Sequence, residues 1–332
     1  MGGLVGQQGG ASIRQPVSEQ TFAGGISRKQ GAAPIKAYAP LRRGRTLYNE
    51  TLPRSAYLAM PLSDAPLGHN VAYPSEYNAA LLFPIARAEN RAGLGLDGAL
   101  PFDGTDIWNA YELSWLDAKG KPRIAMASFR IPASSPNIIE SKSFKLYLNS
   151  FNQTRLPNAQ TLRDLLEKDL SAAAGAPVDM DFILPQRFDT LRIQELSGIN
   201  LDKLDVEVDR YEPAPELLGC SGTGIIEETL MSRLLKSNCP VTGQPDWASV
   251  QIAYRGRPID RAGLLKYIIS FRQHAEFHEH CVERIFCDLM QACQPEQLTV
   301  YARYTRRGGL DINPWRSNAG ASAPADLRGA RQ

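Results

Sequence analysis

The chain has 332 residues, 43% of them hydrophobic, and a formal net charge of +2, which allows a sizeable core and a length suited to two domains. No stretch approaches the ~18 apolar residues of a membrane span, and the N-terminus lacks the charged, apolar and small-residue order of a secretory signal, so a cytoplasmic protein is expected. Five cysteines, an odd number with no C-x-x-C pair, exclude a disulfide scaffold and favour reduced thiols.

In chain order, residues 1–59 hold nine of the 27 glycines, eight basic side chains against two acidic ones, and no sustained apolar period. A disordered N-terminal extension is expected there, with Met60 as a candidate translation start. Without it the chain is mildly acidic, so no generic nucleic-acid footprint remains. Residues 107–116 and 123–131 read as strands about a turn at 117–122, and 161–170 as a helix with Leu162, Leu165, Leu166 and Leu170 on one face. Strands are predicted at 178–184 and at 203–211, where Leu204, Val206 and Val208 alternate with acids. The second half repeats this order: extended at 224–235 and 248–254, largely helical at 260–292, extended again at 298–304. Hairpins flanking helices predict an α+β protein with antiparallel sheets, in two similar modules over 60–215 and 216–318 and a tail over 319–332.

Residues 93–98 spell G-x-G-x-x-G, yet Pro101 and Gly104 follow where a dinucleotide-binding turn needs a helix, which argues against that fingerprint. Cys239 lies in the polar, proline-rich stretch 237–247, a loop in which a thiol is placed to act as a nucleophile, with Asp246 seven residues on. A buried inert thiol and a turn carboxylate are the plainer readings of the two residues taken singly. Cys281, Cys287 and Cys293, spaced six apart on a helix, point to different faces and read as core. His274 and His278 stand four apart, the spacing of a metal pair, but lack a third ligand and could equally be a solvated helix face. Glu279 offers a carboxylate that accepts two hydrogen bonds side by side, as a guanine-like edge requires. Residues 140–148 are dense in polar groups ahead of an apolar period, and Arg303, Arg306 and Arg307 with Gly308 and Gly309 form a cationic end suited to phosphate.

Together the segments 140–148, 237–247, 270–279 and 301–315 closely resemble the NADPH-dependent 7-cyano-7-deazaguanine reductases, nitrile reductases of the queuosine pathway, in their long two-module form. The resemblance spans about residues 66–318 and implies two tandem tunnelling-fold modules, each an antiparallel sheet with helices on one face, in a homodimer. It implies reduction of a nitrile to a primary amine with two NADPH, with no metal, no direct nucleic-acid contact and no membrane. Matched residue by residue, it implies Cys239 as nucleophile and Asp246 as proton donor. Ile139, Glu140, Ser141, His278 and Glu279 become substrate contacts, and Ser141, Lys142, Arg307 and Gly308 become NADPH contacts. The alternative in another reaction class is a zinc-dependent, GTP cyclohydrolase-like hydrolase of the same fold, in which a Cys and His set activates water.

Overall fold

The computed structural model describes residues 74–320 and 323–332. The extension expected over 1–59 lies outside the described residues. The chain runs β1 (Pro84–Ala86), α1 (Arg87–Ala92), β2 (Asp103–Leu116), β3 (Pro122–Pro132), β4 (Asn137–Ile139), α2 (Ser141–Asn149), α3 (Ala159–Ala174) and β5 (Asp179–Ile183). It continues through β6 (Ile199–Asn200), β7 (Ile226–Asn238), β8 (Pro245–Gly256), α4 (Arg261–Ser270), α5 (His278–Cys293), β9 (Gln297–Tyr304) and β10 (Leu310–Ser317). The fold is α+β: one eight-stranded sheet in the order β5-β3-β2-β10-β9-β8-β7-β6, antiparallel except where β6 meets β7, plus the small pair β1-β4.

Local chemistry sets the helices. Asn158 caps α3 by accepting from the Thr161 N–H, and Gly175, with φ 73°, ends it in the left-handed region. Between these caps Leu162, Leu166, Leu170 and Ala173 face the sheet. Asp260 caps α4 in the same way, and α5 buries Val282, Ile285, Phe286 and Leu289.

All four long helices cover one face of the sheet and give two cores. Trp108, Phe129 and Phe144 centre the first, while Val250, Tyr267, Ile285 and Val300 belong to the second. The last strand joins them. β10 pairs with β2 along its whole length, from Leu310↔Ala110 to Ser317↔Asp103, and puts Leu310 and Ile312 into the first core. The other face carries Ile107, Tyr301 and Trp315 together with a polar patch met by residues 326–332.

Two expectations need correction. Residues 203–211 form no strand: a 3-10 turn ends at Lys203 and the chain then runs without a ladder, because β6 already occupies the edge of β7 that an alternating segment would need. The stretch 260–292 is largely helical as expected, but His274 and His278 do not share one helix, because a 3-10 turn and extended backbone interrupt it at 271–277. His274 precedes α5. A helix precedes the glycine run 93–98 and a strand follows it, the reverse of the phosphate-binding order.

Candidate active site

β7 and β8 form the hairpin that presents Cys239. Ser237 pairs with Asp246 and Asn238 with Pro245, after which the Cys239 N–H donates to the Gln244 carbonyl at 2.9 Å and closes the turn. Strand alternation then turns Asp246 inward with Ala248, so thiol and carboxylate emerge side by side from one hairpin. The expected loop is thus a tight turn, and the thiol is only 4% exposed.

The cavity beside the thiol lies at the seam between the halves. The β9–β10 ladder closes only from Trp315↔Tyr301 to Ser317↔Thr299, and the two strands part beyond it while β10 stays on β2. A small cleft, partly open to solvent, lies there. Ile139, Ser141, Ile312, Cys239, Asp246, His278, Glu279 and Arg307 are among the residues that line it.

His278 is the first residue of α5, and its Nε2 lies 3.3 Å from Asp246 Oδ2. Arg307 Nε lies 3.1 Å from the other oxygen, Oδ1, so the carboxylate sits between an imidazole and a guanidinium. Arg307 opens the turn that leads into β10, where Gly308 (φ 56°) and Gly309 (φ 76°) both take left-handed backbone that other residues adopt only with strain. Glu279 is fully enclosed, and burial pushes its carboxyl up to about 8, with the nearby charge of Asp106 adding to the rise. Beneath it lies a buried ionic cluster in which Arg316 bridges Asp106 and Glu283, Arg87 meets Asp106, and Arg91 meets Glu283.

Seven of the sequence-predicted residues share the cavity: Ile139, Ser141, Cys239, Asp246, His278, Glu279 and Arg307. Glu140 faces the start of α2 as its cap, with both carboxylate oxygens at 2.7 Å from the N–H groups of Lys142 and Ser143. Burial raises its carboxyl above the usual range against the pull of those two bonds. Lys142 and Gly308 are not part of the cavity wall.

Sequence reasoning missed Trp108, Phe277, Ile312, Lys145 and Tyr304. The first three are apolar walls that look like any core residue in a strand or cap. Lys145, whose pKa burial and Arg307 depress, packs its chain over Gly308. It was visible as the second lysine of the 140–148 stretch. Tyr304 stacks flat on His278, with ring centroids 3.8 Å apart and planes 9° from parallel, a contact between residues distant in the chain.

For a metal, donor atoms of His274, Glu276 and Cys281 lie within 4.8 Å of one another. Glu276 is already paired with Arg284, and burial raises the Cys281 thiol far above its ordinary value, so a cation would have to displace the arginine and deprotonate the thiol. For NADPH, Ser141 and Arg307 on the cavity wall, with the Lys142 and Lys145 amines on α2, are a donor set whose chemistry fits a dinucleotide phosphate.

A family model described as "Nitrile reductase, 7-cyano-7-deazaguanine-reductase N-term" matches residues 73–182, and one described as "QueF-like protein" matches residues 245–323. The NADPH-dependent 7-cyano-7-deazaguanine reductase of Bordetella pertussis is 74% identical over 273 residues, 82% of this chain and 100% of that protein. The enzymes of the same name from Burkholderia vietnamiensis and Chromobacterium violaceum are each 60% identical over 269 residues, 81% of this chain and 98% and 96% of theirs. Among solved structures, an archaeosine synthase QueF-Like in the apo form matches at 17% identity with a TM-score of 0.26, covering 30% of this chain and 96% of that one. With relatives this similar over their whole lengths, the chain belongs to the family of NADPH-dependent 7-cyano-7-deazaguanine reductases.

Proposed function

We propose that this protein reduces the nitrile of 7-cyano-7-deazaguanine to the aminomethyl group, consuming two NADPH per nitrile, in the queuosine pathway. The observation that carries the reading is the placement of Cys239, Asp246, His278 and Glu279 around one cavity. The Cys239 sulfur adds to the nitrile carbon while the nitrogen takes a proton, leaving a thioimidate that accepts hydride more readily than the nitrile does. Bound NADPH supplies one hydride to that carbon in each of two rounds. Between the rounds the sulfur leaves as thiolate and an imine remains, which exclusion of water around the bound substrate would protect from hydrolysis.

Asp246 and His278, 3.3 Å apart, act as one proton-delivering pair, with Arg307 steadying the carboxylate. Glu279 accepts from the ring N–H and amino group, and Ile139 and Ser141 are further substrate contacts. Glu140 contributes through the α2 start that it caps, while Ser141, Lys142, Arg307 and Gly308 receive the NADPH phosphates. Incubation with the nitrile in the absence of NADPH should add the full mass of the nitrile to the protein, and Cys239→Ala should abolish that adduct; an adduct on the variant would move the nucleophile elsewhere. NADPH consumption in a 2:1 ratio to nitrile tests the stoichiometry.

The working form is proposed to be a cytoplasmic homodimer. Light scattering measures the oligomeric state. Among the described residues no helix is long and apolar enough to cross a membrane.

A further inference from the structure

Where β9 and β10 part, Tyr304 keeps Ala248 on β8 as its ladder partner but loses the ladder to β10. Two side-chain amides take the place of that ladder. The Tyr304 N–H donates to Asn313 Oδ1 at 3.1 Å, and the Tyr304 carbonyl accepts from Gln332 Nε2 at 2.9 Å. The same Gln332 nitrogen donates to Asn313 Oδ1 at 2.8 Å, so the two amides also lock each other. Gln332 is fixed in turn, its Oε1 accepting from Arg303 Nε at 2.8 Å and from the Gly329 N–H at 2.9 Å. All three residues of this clamp are buried.

On the other face of the same strand, the Tyr304 ring forms the floor under the His278 imidazole. His278 needs one. Its Nε2 faces Asp246, its Nδ1 is buried with no hydrogen-bond partner among the described residues, and rotation of the ring out of its plane would take Nε2 off the carboxylate. A flat partner at van der Waals distance forbids that rotation while leaving both nitrogens free for proton traffic.

We infer that Tyr304, gripped by Asn313 and Gln332, is a positioning residue for the nitrile reduction, holding the His278 ring in the plane from which it works with Asp246. The inference rests on the proton-delivering role proposed above for that pair. It extends the site to Gln332, a residue on the opposite face of the sheet that touches neither substrate nor thiol.

The test is a double-mutant cycle read by steady-state kinetics. Tyr304→Leu should lower kcat at least about tenfold, because small misplacements of a catalytic group can cost as much as ~100-fold, while KM for the nitrile changes less than about threefold. Tyr304→Phe, which keeps a flat ring, should recover most of the loss. In a His278→Ala background, Tyr304→Leu should cost nothing further, since residues acting through one group are not additive. Gln332→Ala, which removes one of the two amides of the clamp without touching the ring, should lower kcat about threefold to tenfold, again only when His278 is present. It reads the same coupling should Tyr304→Leu fail to fold. Losses that multiply in the His278→Ala background, or an unchanged kcat in both Tyr304→Leu and Gln332→Ala, would overturn the inference. A His278→Ala enzyme with normal kcat would instead overturn the role given to His278 itself.

Discussion

Glu279 combines two demands that conflict. To accept from a ring N–H and an amino group it must be ionised, yet burial holds its proton until about pH 8. Substrate binding near pH 7 should therefore release a proton, and affinity should improve as pH rises towards 8. Titration calorimetry in buffers of different ionisation enthalpy measures this, and binding without proton release would show that the carboxyl meets the ring in its neutral form. Glu279→Gln should flatten the pH dependence and weaken binding by about 1–3 kcal/mol. Stability carries the opposite sign. Unfolded, the carboxyl ionises near 4.5, while folded it stays protonated to about 8, so between those values the unfolded state binds fewer protons and the Glu279 contribution to stability falls as pH rises. Glu279, Cys239 and Asp246 were legible in the sequence because polar groups in a short segment invite a chemical reading. Tyr304 was not, since a tyrosine ending an apolar strand looks like core until the fold lays it against His278.

At the level of elements, the β2–β10 seam depends on one close approach. A Cβ on Gly104 would collide with the Trp315 carbonyl oxygen and crowd the Arg316 side chain across the ladder. Gly104→Ala should cost about 1–3 kcal/mol through this overpacking. Gly98→Ala, which meets nothing within 4 Å, should change stability little. The shift in urea midpoint at constant slope compares the two, and equal effects would show that the seam tolerates the methyl group. The hairpin of β2 and β3 was readable from Asp117 and Gly120, whose carboxylate and positive φ build the turn. β10 was missed because Asn313 and Pro314 weaken its strand pattern, and 203–211 was overread because alternation cannot say whether a sheet edge is free.

For the whole molecule, the seam and the ionic cluster make the two halves depend on each other. Asp106 lies on β2 and Arg316 on β10, while Glu283 on α5 answers Arg91 from α1. Glu283→Gln strands three buried guanidinium groups with one carboxylate and should cost about 3–5 kcal/mol. Calorimetry of the wild type should give one cooperative transition over both halves; two separate transitions would show that the cluster does not couple them. The repeated order of elements suggested two modules, yet nothing local could show that the last strand of the chain would sit in the middle of the sheet.

That central position has a consequence for biosynthesis. β2 emerges from the ribosome about 200 residues before β10, its partner along the full length of the seam. At ~5–20 residues per second, its edge waits roughly 10–40 s with its backbone groups open to other nascent chains. Soluble yield should then be governed by translation speed and temperature more than by the stability of the finished enzyme.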